Sequence, residues 1–166
     1  APVAVVGKNP VDYASAEVVS QKVLEKAVIP EIPQYIGFDE YRSSGGYKLF
    51  QDCITAKKAP EEVTNELKNS GLRGLGGAGF PAGTKWEVVK KFPAPRLLAV
   101  NIDEGEPGTF KDRYFLETDP HRFIEGSLIA AWAVGIDEIY IYLRDEYAAG
   151  HEILRSEIQK LEGFFK

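Results

Sequence analysis

The chain has 166 residues and a net charge of −5, with acidic and basic side chains mixed along its length. That length predicts one ordinary domain, which removes about 70% of the unfolded surface from water. The negative charge argues against nucleic acid as the main partner, because a phosphate backbone calls for a basic surface. The longest apolar run, residues 128–136, is about half of a bilayer span, so no membrane insertion is expected.

Cysteine usage and the first residues predict a cytoplasmic protein. The chain opens without a signal-peptide pattern, and its one cysteine, Cys53, excludes an internal disulfide. An iron–sulfur cluster needs several thiolates, so this chain is not expected to hold one. Cys53 lies on the apolar face of a predicted helix after Gly45-Gly46, which favours a buried core thiol.

The first part of the chain is predicted to be a leader that packs on a body. Four prolines interrupt residues 1–37, which carry one predicted helix at residues 15–26. The body is predicted to occupy residues 38–166. After the helix that carries Cys53, a second one is predicted at residues 60–67, with Pro60 in its first turn and Gly71 as its stop.

The second part of the chain alternates helices and strands. Helices are predicted at residues 81–91, 119–134 and 148–161, and strands at residues 96–101 and 138–144. The unbroken apolar centre of the first strand indicates burial on both faces. This order predicts an α/β fold, part of a Rossmann-like domain with parallel strands, right-handed crossovers and flanking helices.

Six of the 16 glycines fall within residues 71–83. Glycine loses backbone entropy on folding and adds nothing to a core, so this run indicates a backbone that turns sharply or lies against a ligand. Residues 74–79 match G-x-G-x-x-G, but a dinucleotide fingerprint follows a strand and this run follows a predicted helix. The P-loop pattern fails as well, because Phe80 stands where its lysine is required.

The sequence still contains the anion-binding feature that both motifs share. A glycine loop leads into a helix N-terminus, where free N–H groups and the helix dipole favour phosphate. Lys85 supplies a positive charge in the first turns of that helix. A purely structural loop between two helices is the alternative.

An acceptor-rich group follows the first body strand: Asn101, Asp103, Glu104 and Glu106. Open α/β sheets bind ligands at this end of a parallel strand. The group could bind a divalent metal, carry acid–base chemistry, accept hydrogen bonds from sugar hydroxyls, or form a solvated turn. Metal is the weaker option because no histidine is adjacent. Hydroxyl recognition combines best with a phosphate loop, and together they describe a nucleotide or flavin mononucleotide.

Residues 70–86 read SGLRGLGGAGFPAGTKW, and residues 99–113 read AVNIDEGEPGTFKDR. With DPHRF at residues 119–123 and YIYLRDEY at residues 140–147, these motifs resemble the NADH-oxidising FMN flavoprotein family. That family includes the 51-kDa subunit of respiratory complex I, the beta subunit of NAD-linked formate dehydrogenases and the diaphorase subunit of NAD-reducing hydrogenases. Residues 92–101 are most similar to the formate dehydrogenase branch.

The resemblance implies cofactor contacts along the glycine run. The backbone of Gly74, Gly76, Gly77 and Gly79 would lie against FMN and the incoming nicotinamide dinucleotide. Lys85 would serve the flavin phosphate or the ribityl chain.

It also implies contacts for the acceptor-rich group. Asn101, Asp103 and Glu104 would accept hydrogen bonds from the ribityl chain and anchor the isoalloxazine ring. Phe80 would offer an aromatic face to the adenine of NADH, and Glu106 would contact its nicotinamide end.

Two positions depart from the complex I relatives. Leu75 replaces a common arginine, so a charge near the loop is absent. Val88 replaces an aromatic residue that helps to sandwich the adenine, so we expect weaker stacking on one side.

The implied activity is that of a diaphorase subunit, with hydride passing between NAD(H) and FMN and electrons passing on to iron–sulfur clusters. The cofactors carry this chemistry, so the resemblance assigns no catalytic side chain and no metal ligand to this chain. Family members continue beyond residue 161 with the rest of the flavin domain and a [4Fe–4S] domain. Residues 38–166 are therefore expected to be the N-terminal half of the FMN/NADH-binding domain, a fragment that is inactive alone.

The expected partners are a thioredoxin-like [2Fe–2S] subunit and a larger iron–sulfur subunit of the same complex. Two alternatives stay open: a mononucleotide- or phosphate-binding module without redox activity, and a structural fragment that serves subunit assembly. His121 and His151 are predicted to be exposed helix residues, and residues 111–113 to form a charged turn.

Overall fold

The structure is a computed structural model that describes residues 2–75 and 77–164. Its helices and strands are β1 (Val3–Val6), β2 (Asn9–Asp12), α1 (Ala16–Leu24), α2 (Phe38–Ser43), α3 (Lys48–Ile54), α4 (Pro60–Asn69), α5 (Ala82–Lys90), β3 (Leu97–Ile102), α6 (Lys111–Thr118), α7 (Pro120–Val134), β4 (Glu138–Leu143) and α8 (Ala148–Phe164). Two compact units divide the chain: the first unit is Ala1–Phe38, Ile102–Pro120 and Leu143–Lys166, and the second unit is Asp39–Asn101 and His121–Tyr142.

In the first unit, β1 and β2 form an antiparallel hairpin in which Val3 pairs with Asp12. The sequence prediction missed this hairpin, because Pro10 in β2 disguises a strand. Helix α1 confirms the predicted leader helix, and the Ser15 side chain caps it by accepting from the Val18 N–H. Helix α6 packs on α8. The domain boundary at residue 37 stays a prediction.

In the second unit, β3 pairs with β4 in a two-stranded sheet. The Asp137 N–H donates to the Arg96 carbonyl at the start of the strands (2.8 Å), and the Arg144 N–H donates to the Ile102 carbonyl at their ends (3.5 Å). Both strands therefore run in the same direction, and the prediction of a parallel α/β arrangement is confirmed.

The burial predicted for the first body strand is wrong. Along β3, Leu97, Ala99 and Asn101 are exposed, and Leu98 and Val100 are half-buried. An apolar run predicts a strand, but its burial depends on what covers each face of the sheet. The described residues leave one face of β3 open to solvent.

Residues 111–113 form the first turn of α6, so the predicted charged turn is wrong there. Helix α6 has Leu116 as its buried residue, whereas Phe110, Tyr114 and Phe115 are exposed. It therefore lacks the apolar periodicity by which helices are recognised. Helix α8 confirms the predicted last helix and ends three residues later than predicted, at Phe164 rather than Leu161.

A buried glutamate of α7 caps α3 within the second unit. The Glu125 carboxylate accepts hydrogen bonds from the Tyr41 hydroxyl (2.7 Å), the Tyr47 N–H (2.9 Å) and the Phe50 N–H (3.2 Å). Tyr47 is the N-cap residue of α3 and its side chain makes no cap bond. Glu125 thus satisfies N–H groups that a helix N-terminus leaves without partners.

The expectation that His121 is exposed is wrong. Its ring is fully buried, with Nδ1 2.7 Å from the Tyr47 hydroxyl, and it stacks on Tyr41. Because α7 turns this face inward, its polar atoms need internal partners. His151 is half-buried rather than exposed.

A second buried glutamate has the same role in the first unit. Glu157 of α8 accepts from the Tyr35 hydroxyl (2.7 Å), the Phe38 N–H at the start of α2 (3.3 Å) and the Lys160 ammonium (2.7 Å). Loss of solvation, together with this carboxylate, raises the pKa of Tyr35 to about 12.

The prediction for Cys53 is confirmed: the thiol is buried, and burial raises its pKa. Among the described helices, none combines the length and the apolar character that crossing a bilayer requires.

Candidate functional site

The glycine loop, residues 71–83, begins after α4 and ends in α5, as the sequence predicted. Its two arms pair at the base: the Gly74 N–H donates to the Phe80 carbonyl and the Ala82 N–H donates to the Leu72 carbonyl, both at 2.9 Å. Arg73 and Pro81 form an antiparallel bridge between these bonds. The loop is therefore a closed hairpin-like turn held at its neck.

Arg73 holds the second arm of the glycine loop, although the sequence did not predict it as a site residue. Arg73 Nη1 donates to the Gly79 carbonyl at 3.0 Å. This bond fixes the direction of the peptide after Gly79, so the neighbouring N–H groups keep one orientation. No motif marks it, because its acceptor is a backbone atom.

We expect Arg73→Gln to loosen the loop without unfolding the protein. Loss of one hydrogen bond, about 1 kcal/mol, should speed amide exchange at Gly74 and Ala82 by roughly fivefold. Hydrogen-exchange mass spectrometry measures this effect. Arg155→Gln, which removes an exposed arginine of α8, is the control and should leave the loop unchanged.

The tip of the glycine loop leaves open space beside two of its glycines. Gly77 and Gly79 have φ of +89° and +58°, and no heavy atom lies within 4 Å of the position that a side chain would take. Within the described chain, no acceptor pairs with the N–H groups of residues 77–80. Successive N–H groups of this kind form a concave site for an anion. Gly76, also predicted to contact the cofactor, lies outside the described residues.

Helix α5 adds its N-terminus to the same loop. Pro81 caps it without a side-chain hydrogen bond, and the N–H groups of Gly83 and Thr84 donate to no described residue. Lys85 is exposed, and its ammonium forms no ion pair with the residues that the structure describes. The Phe80 ring is 52% exposed at the loop's end. The second unit therefore presents N–H donors, one cation and one aromatic face together.

The acceptor-rich group divides by burial. Asn101, Asp103 and Glu106 are exposed, whereas Glu104 is only 6% exposed. Asn101 belongs to β3, and the other three follow its end in the order predicted. The Glu106 carboxylate accepts no hydrogen bond from the described residues, although its carbonyl accepts from Thr109.

Glu104 is held by the first turn of α6 and by Tyr147 in the first unit. Oε2 accepts from the Arg113 N–H (3.3 Å) and the Tyr147 hydroxyl (3.0 Å), and Oε1 accepts from the Lys111 ammonium (3.3 Å). Glu104 is thus a third buried glutamate that caps a helix. Glu104, Glu125 and Glu157 are the three buried capping glutamates of the described chain.

The charge of Glu104 is stabilised in the fold. Burial raises the pKa of this carboxyl, but hydrogen bonds from the N–H groups of Asp112 and Arg113, from Tyr147 and from Lys111 outweigh burial, so the pKa lies below its ordinary value. Because the folded-state pKa is the lower one, Glu104 stabilises the fold above its unfolded pKa. That contribution is lost as pH falls through the folded pKa.

Within residues 2–75 and 77–164, no group of three or more His, Cys, Asp or Glu side chains could hold a metal ion.

The family profile described as the Nuo51 FMN-binding domain matches residues 67–163, more than half of the chain. The chain belongs to this family. The matched stretch includes the glycine loop, the acceptor-rich group and Tyr147.

Named relatives support membership of the Nuo51 FMN-binding domain family. The relative in Aquifex aeolicus, a subunit of NADH-quinone oxidoreductase, is 44% identical over 151 residues, which are 90% of this chain and 34% of that protein. The NADH-quinone oxidoreductase relative in Escherichia coli K12 is 43% identical over 127 residues, 75% of this chain and 28% of that protein. The chain thus spans about a third of the length of these relatives.

Two solved structures share the fold of this chain. The crystal structure of an NAD⁺-reducing [NiFe]-hydrogenase in the air-oxidized state superposes with a TM-score of 0.74 at 30% identity. The superposition covers 98% of this chain and 31% of the hydrogenase chain. Its H₂-reduced form gives a TM-score of 0.73.

Proposed function

We propose that this chain supplies part of an FMN- and NADH-binding site in the diaphorase subunit of an NAD-linked oxidoreductase. One observation carries the proposal: four successive N–H groups, residues 77–80, have no partner among the described residues and lead into the uncapped N-terminus of α5. Membership of the Nuo51 FMN-binding domain family supports FMN as the ligand of this anion site.

In the proposed site, the glycine loop binds phosphate. The N–H groups around Gly77 and Gly79 donate to phosphate oxygens, and the open space beside these two glycines lets the ligand approach the backbone. Gly74 extends this surface, and Lys85 adds a mobile positive charge beside it.

The acceptor-rich group recognises the uncharged part of FMN. Asn101 and Asp103 accept hydrogen bonds from ribityl hydroxyls, and Glu104 accepts from the ring system. Their exposed or ionised oxygens suit this role, because hydroxyl and ring N–H groups are donors. Phe80 gives its exposed face to the adenine of NADH, and Glu106 contacts the same dinucleotide.

FMN and NADH supply the hydride chemistry themselves when both are bound. The chain contributes position: in the second unit the loop neck fixes the direction of the N–H groups, and in the first unit Glu104 presents an ionised carboxylate. Proximity and orientation of this kind account for much of the rate increase in such reactions.

A flavin titration of the purified protein tests the proposal. Quenching of FMN fluorescence should saturate, and ATP or GMP should compete weakly. Preferential binding of ATP or GMP would instead support a phosphate-binding module without redox activity. Retained binding to a partner subunit without any nucleotide binding would support a role in assembly.

The wider assembly is part of the same proposal. The similarity of residues 92–101 favours an NAD-linked formate dehydrogenase, with a complex I-like assembly as the second choice. The proposed partners are a thioredoxin-like [2Fe–2S] subunit and a larger iron–sulfur subunit, in the cytoplasm. Purification from fractionated source cells, followed by assays for formate-dependent and quinone-dependent turnover of NAD(H), separates these assemblies.

We expect Glu106→Gln to narrow the ratio of NADH to NADPH oxidation rates. The Glu106 carboxylate accepts no hydrogen bond from the described residues. If it lies near the adenine ribose instead of the nicotinamide end, it repels the extra phosphate of NADPH, and Gln removes that charge without changing size. Steady-state rates with both dinucleotides measure the ratio. Glu162→Gln, at an exposed position of α8, is the control. An unchanged ratio in Glu106→Gln would show that Glu106 does not discriminate against NADPH.

A further inference from the structure

The two carboxylate oxygens of Glu104 have unequal surroundings. Oε2 is held by a backbone N–H of α6 and by the buried Tyr147 hydroxyl. Oε1 receives its bond from the Lys111 ammonium at 3.3 Å. That lysine side chain is 58% exposed and makes a shorter bond, 2.9 Å, to Asp112. The Asp112 N–H also donates to this carboxylate. Among the donors to Glu104, the exposed Lys111 ammonium is therefore the one that a ligand can replace.

Tyr147 is itself fixed in place. The guanidinium carbons of Arg113 and Arg144 lie 5.8 and 5.4 Å from the centre of its ring, within cation–π range. Arg144 also donates to the Glu104 backbone carbonyl, and a turn bond from the Tyr147 N–H to the Arg144 carbonyl (3.1 Å) links the two residues. Residues 144–147 therefore hold both the backbone and the side chain of Glu104.

We propose that Tyr147 is a positioning residue of the FMN site: its hydroxyl holds Oε2 of Glu104, so that Oε1 accepts a hydrogen bond from the cofactor in place of Lys111. This inference rests on the proposed function. A carboxylate already held in one rotamer loses little conformational entropy when the ligand binds, which favours affinity.

The charged groups around Glu104 set the pH dependence of this arrangement. Lys111, Asp112 and Arg113 face it from α6, and Arg144 and Tyr147 face it from the segment before α8. Asp103 precedes it in its own loop. Removal of the Tyr147 hydroxyl takes away one donor that favours the ionised form, so the acid limb of FMN binding should move to higher pH.

Tyr147→Phe in the native protein tests the inference. Phenylalanine keeps the ring and its contacts with both guanidinium groups and removes the hydroxyl alone. After removal of bound flavin, FMN titrations from acid to neutral pH should show binding about threefold to tenfold weaker at neutral pH, because the released carboxylate must be ordered again when FMN binds. Tyr142→Phe, at an exposed position of β4, is the matched control and should bind FMN like the wild type.

A flavin-free measurement accompanies the titration. Carbon-detected NMR of the Glu104 carboxyl should give a higher pKa in Tyr147→Phe than in the wild type, and thermal melts confirm that the variant folds. If the wild type binds FMN and Tyr147→Phe binds it equally with the same acid limb, the role of Tyr147 is overturned. If the wild type binds no FMN, the proposed function fails and takes this inference with it.

Discussion

Replacement of Glu125 by alanine is expected to lower the free energy of unfolding by about 3–5 kcal/mol. The Tyr41 hydroxyl and the N–H groups of Tyr47 and Phe50 lose their acceptor in a buried place that water does not reach. Helix α3 loses its cap at the same time. In a chain of this length the melting temperature should fall by on the order of 10 °C.

Glu125→Gln is the matched control for this prediction. It keeps the size of the side chain and one acceptor oxygen. Its amide NH₂ group, however, faces hydrogen-bond donors of the protein and cannot accept from them. We expect a smaller loss, about 1–3 kcal/mol. Urea titrations followed by circular dichroism measure both variants. A Glu125→Ala protein as stable as the wild type would show that the three donors find other acceptors.

Gly83→Ala is expected to destabilise the protein although alanine is the better helix former. A methyl group at this position would lie 2.8 Å from the Lys68 backbone nitrogen and 3.0 Å from its Cα. Backbone atoms of α4 cannot move aside alone, so the two helices must separate. Overpacking of this kind costs about 1–3 kcal/mol beyond the gain in helix propensity.

Gly126→Ala makes the same chemical change but is expected to stabilise the protein rather than destabilise it. Gly126 lies inside α7 and is exposed, with no heavy atom of the described chain near the added methyl group. The substitution should stabilise the protein by up to about 1 kcal/mol, because alanine loses less backbone entropy in a helix. Thermal melts of both variants give the contrast. Equal shifts would mean that helix propensity, not packing, decides at Gly83.

Most regular elements after residue 60 were predictable because each carries a local signal. Pro60 with Glu61 and Glu62 marks the start of α4, and the glycine loop marks the start of α5. Helix α6 carries no such signal, since its first turn is held by Glu104, seven residues before it begins. A contact between side chain and backbone across a loop has no sequence pattern of its own.

The position of the candidate site was predictable, but its supporting contacts were not. The glycines and the acceptor-rich group stand out in composition, whereas Arg73 and Tyr147 act on a backbone carbonyl and on a carboxylate that folding brings near. One supporting contact, made from α8, does have a signal in the sequence. Glu157 lies four residues from both Ile153 and Leu161, inside the buried stripe of α8. A charged residue in an apolar stripe indicates an internal partner.

The capping glutamates also determine the order in which the chain can fold. Helices α2 and α3 have six and seven residues, fewer than the roughly 12 that an isolated helix needs. Their caps come from residues 119 and 78 positions away, so we expect them to become stable only after Glu157 and Glu125 are in place. The Glu104 cap of α6 reaches across only nine positions and can form early. Two helices that leave the ribosome before α7 and α8 must therefore wait for those later segments.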